Sequence, residues 1–340
     1  MMAMMSPVLA FVCPQCRLPV QADAQAYRCV PCERSYPVLF GIPDFRLRSD
    51  RYLGLEQDRA KAARLADAAR TRSFEQLLDF YYEITDDVAP QLAVRYKAAQ
   101  LNAVRHMEPL AADLAAATAP IAGAIALDAG CGAGGLLIAS HRKGVSIVGV
   151  DIALRWLVIC RKRLDELGVQ VPLVCADLAD PPFLPETLAA IAAVDLVEHV
   201  PDVRQMLASL AALAQPSAPL WITAANGRTL GPHPSTRLWA IGWFPAAARN
   251  WLLRMLRGVD ALRFAQLLTP GDLRRIAAQA GLIVTEARPR RLAAPDRRYP
   301  VADRVLMQLY RWLARTPVMD RLLLHLGPSF EIVLRRERHS

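Results

Sequence analysis

The chain has 340 residues, a formal net charge of +9 and 54% hydrophobic residues, which is sufficient for one large globular domain with an appendage or for two domains. Residues 1–12 lack a charged n-region, and the longest uncharged run, residues 206–227, contains Pro216 and Pro219, so neither a signal peptide nor a membrane span is expected. A cytoplasmic location is the default expectation, and the positive charge favours anionic partners such as nucleic acid or acidic lipid.

Two cysteine pairs near the start of the chain have the spacing CxxC-x12-CxxC. Two such pairs can close a tetrahedral four-thiolate site, the geometry that structural zinc prefers, and a metal would stabilise a module too small to fold reliably alone. Redox pairs or accidental core cysteines are the alternatives. The predicted zinc ribbon spans residues 8–45, and its predicted ligands are Cys13, Cys16, Cys29 and Cys32.

The segment that follows the second cysteine pair, YPVLFGIPD at residues 36–44, resembles the end of small zinc-ribbon modules related to the activator subunit of tRNA and protein methyltransferases. The resemblance covers residues 11–45. It implies a role in scaffolding or in substrate docking.

Residues 46–119 form a predicted helical connector. Phe74, Leu77, Leu78 and Tyr81 recur at the spacing of one helix face. This stripe predicts that the connector packs against the main domain. The second interpretation is that the connector forms a lid over a ligand pocket. Pro120 and Gly123 break the helical pattern, so the main domain is predicted to occupy residues 120–340.

In the main domain, apolar runs alternate with helical segments, which predicts an α/β fold with a mostly parallel sheet covered on both faces. Ligands of such sheets bind at the carboxyl ends of the strands. The predicted strands are residues 124–128, 146–150, 171–175, 191–194 and 220–223, and the predicted helices are residues 135–142, 154–167 and 203–213.

Glycines and acidic residues follow these strands. Gly130, Gly132 and Gly134 let the backbone turn sharply and approach a ligand. Asp151 ends the second strand, where a carboxylate can accept hydrogen bonds from two ribose hydroxyls, and Asp177 can accept one from an adenine amino group. Asp128 supplies negative charge before the glycines.

The glycines also satisfy the GxGxxG fingerprint of dinucleotide-binding proteins, with Gly135 as the third glycine. Three features argue against a dinucleotide, and the first is that the fourth strand ends in DLVEHVPD at residues 195–202. Asp128 would repel a pyrophosphate, and Asp177 has an evident role only in an adenine pocket.

The motifs LDAGCGAGGL, VGVDIA, CADLADPPF and DLVEHVPD occur in order between residues 124 and 202 and resemble those of class I S-adenosylmethionine-dependent methyltransferases. The similarity extends to Val284. It implies a Rossmann-like sheet with an antiparallel last strand, for which residues 330–335 are the candidate. It also implies S-adenosyl-L-methionine as cofactor, with Ile152, Leu178 and Asp195 as further binding residues.

The chain departs from this family at two places. Leu188 and Ala189 stand where an aromatic residue and an aspartate usually open the fourth strand. Residues 288–328 replace a short hairpin and are predicted to be an insertion, within which Leu306, Leu309, Tyr310 and Leu313 form one helical face. A solvated amphipathic helix is the simplest interpretation of that face, and contact with membrane or nucleic acid is the alternative.

His199 is the candidate catalytic base, because the usual pKa of histidine lies near neutral pH. Packing or capping within the EHVPD turn is the alternative role. Asp195, Glu198 and His199 also resemble the carboxylate-x-x-Glu-His arrangement of the polyprenyl catechol O-methyltransferases of ubiquinone synthesis, which is linked to magnesium. Many methyltransferases share this turn without a metal, so Mg²⁺ is the minority interpretation.

A second predicted insertion, residues 226–268, contains Trp239, Trp243 and Trp251 together with several arginines. These residues suit the walls of an apolar acceptor pocket, an interfacial membrane helix or a helical cap on the core.

The sequence therefore predicts O-methylation of a small-molecule or lipid-linked acceptor held under this insertion, by a cytoplasmic enzyme that is peripheral to the membrane in the lipid-linked case. An RNA methyltransferase that docks its substrate through the ribbon and the basic tail is the alternative, although the EHVPD turn differs from the Asn- or Asp-Pro-Pro-aromatic motif of base methylation. A binding protein without turnover is the third hypothesis, and the oligomeric state is open.

Overall fold

The computed structural model describes residues 10–85, 88–258, 262 and 264–337. The predicted first residues of the ribbon, 8 and 9, therefore lie outside the described part, as do a few residues of the 226–268 insertion.

The cysteine-rich segment forms a small antiparallel sheet of strand order β1-β2-β3-β4 that packs against the edge of the main sheet. Its strands are β1 (Gln21–Ala22), β2 (Ala26–Cys29), β3 (Arg34–Leu39) and β4 (Ile42–Pro43). Asp44 forms a bridge with Cys175, and the rings of Phe11 and Phe45 lie 5.1 Å apart, with Phe183 5.9 Å from Phe11. The segment thus shares its core with the main domain.

Three helices connect this small sheet to the main one. They are α1 (Leu55–Ala68), α2 (Phe74–Glu83) and α3 (Pro90–Thr118). Ser73 begins α2 through a capping box with Gln76, in which each side chain accepts a backbone N–H of the other residue. The four residues of the predicted stripe, Phe74, Leu77, Leu78 and Tyr81, are all buried, which confirms that this face packs into the core.

The main sheet has seven strands in the order β10-β11-β9-β8-β5-β6-β7. The five strands from β5 to β9 pair in parallel, whereas β11 runs antiparallel to both β9 and β10. The predicted fold class is confirmed, including the antiparallel last strand. The strands are β5 (Ala126–Ala129), β6 (Ile147–Asp151), β7 (Leu173–Cys175), β8 (Ala190–Val194), β9 (Leu220–Ala225), β10 (Leu282–Pro289) and β11 (Ser329–Arg336).

Helices cover both faces of this sheet, and its central strands are therefore buried along nearly their whole length. This burial explains why the strands are continuous apolar runs in the sequence. The helices that connect the strands are α4 (Gly135–His141), α5 (Leu154–Glu166), α6 (Val203–Leu213) and α8 (Pro270–Gln279).

Additional helices stand at the carboxyl end of the sheet. Between β9 and α8 lies α7 (Ala246–Arg257), and between β10 and β11 lie α9 (Val301–Leu313) and α10 (Pro317–Leu326). Within the part of the chain that the structure describes, no helix is both long enough and apolar enough to span a bilayer.

Candidate active site

The glycine loop lies between the end of β5 and the start of α4. Gly130, Gly132 and Gly134 all have positive φ, at 76°, 48° and 75°. At Gly134 a Cβ would lie only 2.6 Å from the Cys160 Sγ, so a side chain there would meet both strain and a clash. The loop therefore keeps an open backbone at the carboxyl edge of the sheet.

Asp151 ends the neighbouring strand β6 and holds this loop in place. Its carboxylate accepts the Gly132 N–H and the Ala153 N–H, each at 2.9 Å. Burial raises the pKa of Asp151 above its usual value, while these two backbone donors oppose the shift. The acidic residue predicted to bind a ribose thus lies directly beside the glycine loop.

Asp128, one residue before the end of β5, is only 2% exposed. Its Oδ2 atom has no hydrogen-bond partner among the described residues. Burial, together with the smaller effect of the nearby carboxylate of Asp151, raises the pKa of Asp128 to about 8. A buried carboxyl group of this kind is suited to ionise when a cation binds beside it.

Three more predicted donor residues surround the same pocket. Asp177 follows β7, accepts the Ala179 N–H at 2.9 Å and lies 3.3 Å from the Arg48 guanidinium. Leu178 is buried, and both Leu178 and Ile152 line the cavity described below. The structure therefore brings the strand-end residues of β5, β6 and β7 to one site, as their positions in the sequence predict.

A segment between the small sheet and α1, residues 46–53, crosses this site; we call it the strap. A buried network of charges attaches it to α5. Asp58 accepts the Leu154 N–H at 2.9 Å and pairs with both Arg155 and Arg46, whose guanidinium also donates to the Ile152 carbonyl. Breaking such a buried pair by removing one partner is costly, because it leaves an uncompensated charge. No spacing or periodicity in the sequence predicts this network.

The turn after β8 holds the three residues considered for acceptor chemistry. The Asp195 carboxylate accepts hydrogen bonds from Arg290 at 2.6 and 2.8 Å, whereas Glu198 is buried and accepts the Ala225 N–H at 3.3 Å. The His199 Nδ1 lies 2.8 Å from the hydroxyl of Tyr52, a strap residue.

The pKa shifts of Glu198 and His199 favour the neutral form of both side chains at pH 7. Burial raises the pKa of Glu198 to about 8, and it lowers the pKa of His199 although the nearby Asp195 opposes that shift. Within the described ranges, the ligand atoms of Asp195, Glu198 and His199 do not come together as those of the four cysteines do, and Arg290 holds both oxygens of Asp195. The arrangement does not fit a shared Mg²⁺ ion.

A continuous cavity of about 1660 Å³ extends from the donor residues past His199. A single ligand pocket typically measures roughly 300–1,000 Å³, so this cavity has room for a donor and a second ligand. Its far part is apolar and is lined by helices α3, α9 and α10, chiefly by Leu92, Ala99, Met107, Leu306, Met307, Leu309, Leu313 and Leu323.

The two insertions contribute unequally to this cavity. Trp239 is part of its described lining, whereas Trp243 and Trp251 are not. Of the three tryptophans predicted to form the walls of a pocket, only Trp239 lines the described cavity. All four residues of the predicted stripe on α9 line the cavity, so that helix forms a roof and is not merely a solvated helix.

The four cysteines of the small sheet come together as predicted. Their Sγ atoms all lie within 4.8 Å of one another, with Cys13 and Cys32 at 3.9 Å and Cys16 and Cys29 at 3.5 Å. Tetrahedral zinc–thiolate geometry implies Sγ–Sγ separations of about 3.8 Å.

The Tyr36 hydroxyl lies 3.1 Å from the Cys13 Sγ. Burial raises the pKa of this thiol, but hydrogen bonds from Tyr36 and from backbone N–H groups outweigh it and bring the pKa to about 6. The cluster could bind zinc.

Several known proteins are similar to this chain. A family model described as "Methyltransferase domain" matches residues 126–217. The ubiquinone biosynthesis O-methyltransferase of Chromobacterium violaceum is 28% identical over 204 residues, covering 59% of this chain and 83% of that protein. The enzyme of the same name from Thiobacillus denitrificans is 26% identical over 222 residues, covering 65% and 85%. Among solved structures, geranyl diphosphate methyltransferase in complex with GPP and sinefungin matches with a TM-score of 0.44 and 18% identity, covering 67% of this chain and 77% of that one.

The sheet order and the strand-end residues define a class I methyltransferase fold. Together with the matched domain and the named relatives, they identify the chain as an S-adenosylmethionine-dependent methyltransferase.

We expect donor affinity to rise with pH up to about 8 and then to level off. Asp128 is largely protonated at neutral pH in the free protein, and a bound sulfonium and ammonium would favour its ionised form, so binding should release a proton below that pH. Titration calorimetry between about pH 6 and pH 8, in buffers of different ionisation enthalpy, measures both effects. In Asp128→Asn the pH dependence and the proton release should both disappear. An affinity that is constant over this range in the unmodified enzyme would contradict the assignment.

Proposed function

We propose that the enzyme O-methylates a small-molecule or lipid-linked acceptor that lies in the apolar part of the cavity. The observation that carries this proposal is the continuity of the cavity, which joins the donor residues, His199 and the roof formed by α9 and α10. The relatives named for O-methylation in ubiquinone biosynthesis support the same reaction. The tail of a lipid-linked acceptor would lie between α3 and α9.

We propose the following roles for the donor residues. Asp151 accepts the ribose hydroxyls, Asp177 accepts the adenine amino group, and Asp128 faces the positive charges of the donor. Gly130, Gly132 and Gly134 let the backbone approach, and Ile152 and Leu178 line the pocket. When bound, S-adenosyl-L-methionine supplies an electrophilic methyl group on its sulfonium.

His199 is proposed to remove the proton of the acceptor hydroxyl. Its lowered pKa keeps the imidazole neutral at physiological pH, as a general base requires. If Nδ1 carries the hydrogen and donates it to the Tyr52 hydroxyl, then Nε2 is the proton acceptor. Tyr52 would thus fix the tautomer and the orientation of the ring, acting as a positioning residue.

Replacing His199 by Gln is expected to lower kcat by roughly 10²- to 10⁴-fold, the usual contribution of a general base. The KM of the donor should be unchanged, because His199 lies outside the proposed donor contacts. Methyl transfer from radiolabelled donor to a farnesyl-substituted catechol gives kcat for the unmodified enzyme and for the variant. The same assay with catechol itself gives the KM difference that the apolar compartment produces. Full activity of His199→Gln would show that His199 is not the general base. Equal KM values for farnesyl-substituted catechol and for catechol would contradict a lipid-linked acceptor.

We further propose that the four cysteines hold a structural zinc ion and that the chain is divided into a ribbon at residues 8–45, a connector and lid at 46–119 and a methyltransferase domain at 120–340. The closeness of the four Sγ atoms supports the zinc assignment. The strap supports the lid, since it crosses the donor site from the connector side and places Tyr52 against His199.

A peripheral association with membrane is proposed from the surface around the cavity. Residues 239–257 contain no acidic residue, and the tryptophans 239, 243, 251 and 312 are 61%, 52%, 61% and 63% exposed. Arg254, Arg315 and Arg321 are exposed on the same two insertions. Exposed aromatic residues with interspersed arginines are typical of surfaces that bind anionic lipid.

We expect the enzyme to co-sediment with phosphatidylglycerol vesicles and the double variant Trp251→Ser/Trp312→Ser to bind at least tenfold more weakly. Burying a large apolar side chain contributes about 1.5 kcal/mol or more. Leu167→Ser provides the matched control, since Leu167 is 48% exposed at the end of α5, outside the insertions. Equal binding by both variants would contradict this membrane surface.

The RNA alternative is not favoured. Two arginines of the basic tail are engaged within the protein, since Arg288 and Arg291 pair with Asp113 and Glu331. Arg17 of the ribbon donates to two backbone carbonyls of the main domain.

A further inference from the structure

Arg290 lies at the junction between the donor site and the apolar compartment, directly after β10. Its side chain is 16% exposed and lines the cavity. Nη1 donates to both oxygens of Asp195, at 2.6 and 2.8 Å. Within the described ranges of the chain, Nε and Nη2 of Arg290 make no hydrogen bond to the protein. One edge of the guanidinium is therefore engaged and the other is open.

The guanidinium of Arg290 stays charged, because burial lowers its pKa but the neighbouring Asp195, Glu198 and Glu331 raise it more. None of these three acids contacts the open edge of the guanidinium among the described residues. Glu198 is a protonated, neutral acid at pH 7, because burial raises its pKa to about 8. Glu331 is held by Arg288 and Arg291. The engaged carboxylate, that of Asp195, is itself 47% exposed, so solvent screens part of its charge.

Two neutral polar groups lie near Arg290 and line the same cavity. The His106 Nε2 and the Tyr299 hydroxyl are 3.0 Å apart. Burial lowers the pKa of His106 to about 4 and raises that of Tyr299 to about 12, and the Arg290 charge adds to the first shift and opposes the second. Both groups are therefore within electrostatic reach of the guanidinium. Together the three residues form a polar patch at the inner end of an apolar compartment.

We propose that this patch is a carboxylate-binding subsite and that the methyl acceptor is a phenolic acid. The parallel N–H groups of an open guanidinium edge match the two oxygens of a carboxylate, and a carboxylate buried in an apolar cavity requires such a partner. Arg290 and His199 both line the cavity close to Asp195, so an acceptor held by its carboxylate could present a ring hydroxyl to His199. The inference rests on the proposed O-methylation and specifies its substrate class.

Calorimetry on the enzyme saturated with S-adenosylhomocysteine tests this subsite, using 3,4-dihydroxybenzoate and its neutral methyl ester as probes. We expect the acid to bind at least about tenfold more tightly than the ester, in keeping with charge-assisted hydrogen bonds. Arg290→Met should abolish this preference, and Arg290→Lys should retain part of it. Arg291→Met is the control that keeps it, because Arg291 pairs with Asp113 and Glu331.

Equal affinity for the two probes, absence of acid binding, or an unchanged preference in Arg290→Met would each overturn the subsite. If Arg290 only holds Asp195, then Arg290→Met and Asp195→Asn should weaken both probes equally, which would also overturn it. The results distinguish a failure of the proposed O-methylation from a failure of the carboxylate-binding subsite. A retained acid preference without methyl transfer refutes the O-methylation alone, whereas methyl transfer to catechol without acid preference refutes only the subsite.

Discussion

An Asp151→Ala variant is expected to bind S-adenosylhomocysteine at least roughly 10²-fold more weakly than the unmodified enzyme. Two charge-assisted hydrogen bonds contribute about 1.5–3 kcal/mol each, and Asp151 is the proposed partner of both ribose hydroxyls. The loss of binding free energy should be larger than the contribution of the ribose contacts alone, because the same carboxylate accepts the Gly132 N–H and holds the glycine loop. Titration calorimetry of donor product into each variant measures the change.

Two further variants separate these contributions. Asp151→Asn keeps one acceptor oxygen for the loop but loses the charge, so an intermediate affinity is expected. Asp165→Ala removes an exposed carboxylate on the adjacent helix α5 and should bind normally. Donor affinity in Asp151→Ala equal to that of the unmodified enzyme would disprove the donor site.

The second large effect is expected from the cysteine cluster. The purified enzyme should contain about one zinc per chain, and Cys29→Ser should lower the free energy of unfolding by at least ~3 kcal/mol, since structural zinc binds with an apparent free energy of roughly 10 kcal/mol or more. Elemental analysis and denaturant unfolding measure the two quantities.

The loss of zinc should also weaken donor binding, although the cluster is far from the donor in the chain. Phe45 packs in the same core as Phe183 of the main domain, and the strap follows Phe45 directly. Unfolding of the ribbon would therefore release the strap from α5. Val30→Ala changes an exposed residue between Cys29 and Cys32 and should keep both the zinc and the donor affinity. A metal-free enzyme of unchanged stability would refute the zinc site.

The grouping of the proposed donor residues was predictable because each is fixed by its position on a single strand. Asp128, Asp151 and Asp177 each follow an apolar run, and parallel strands bring their carboxyl ends to one edge. The same holds for the cysteines, whose spacing within two short turns limits the geometry they can adopt. In both cases the local sequence carries nearly all of the information.

The lining of the apolar part of the cavity was predictable only in part. The helical stripe of Leu306, Leu309, Tyr310 and Leu313 is evident in the sequence, but its direction is not, because an amphipathic helix can face solvent, membrane or a cavity with the same pattern. The tryptophan-rich insertion was expected to cover the acceptor, whereas Trp239 alone of its three tryptophans lines the described cavity. The roof comes mainly from the second insertion.

The amino-acid sequence by itself determined the fold class, the donor loop with its strand-end acids and the cysteine cluster. Only the tertiary structure joined Tyr52 to His199, Asp58 to Arg155 and Arg290 to Asp195, which are separated along the chain by 147, 97 and 95 residues. Such pairs have no periodicity or spacing of their own. They form because the packing of the connector and of the insertions onto the sheet brings distant side chains together. For Asp58 and Arg155, the burial of one charge then requires the other.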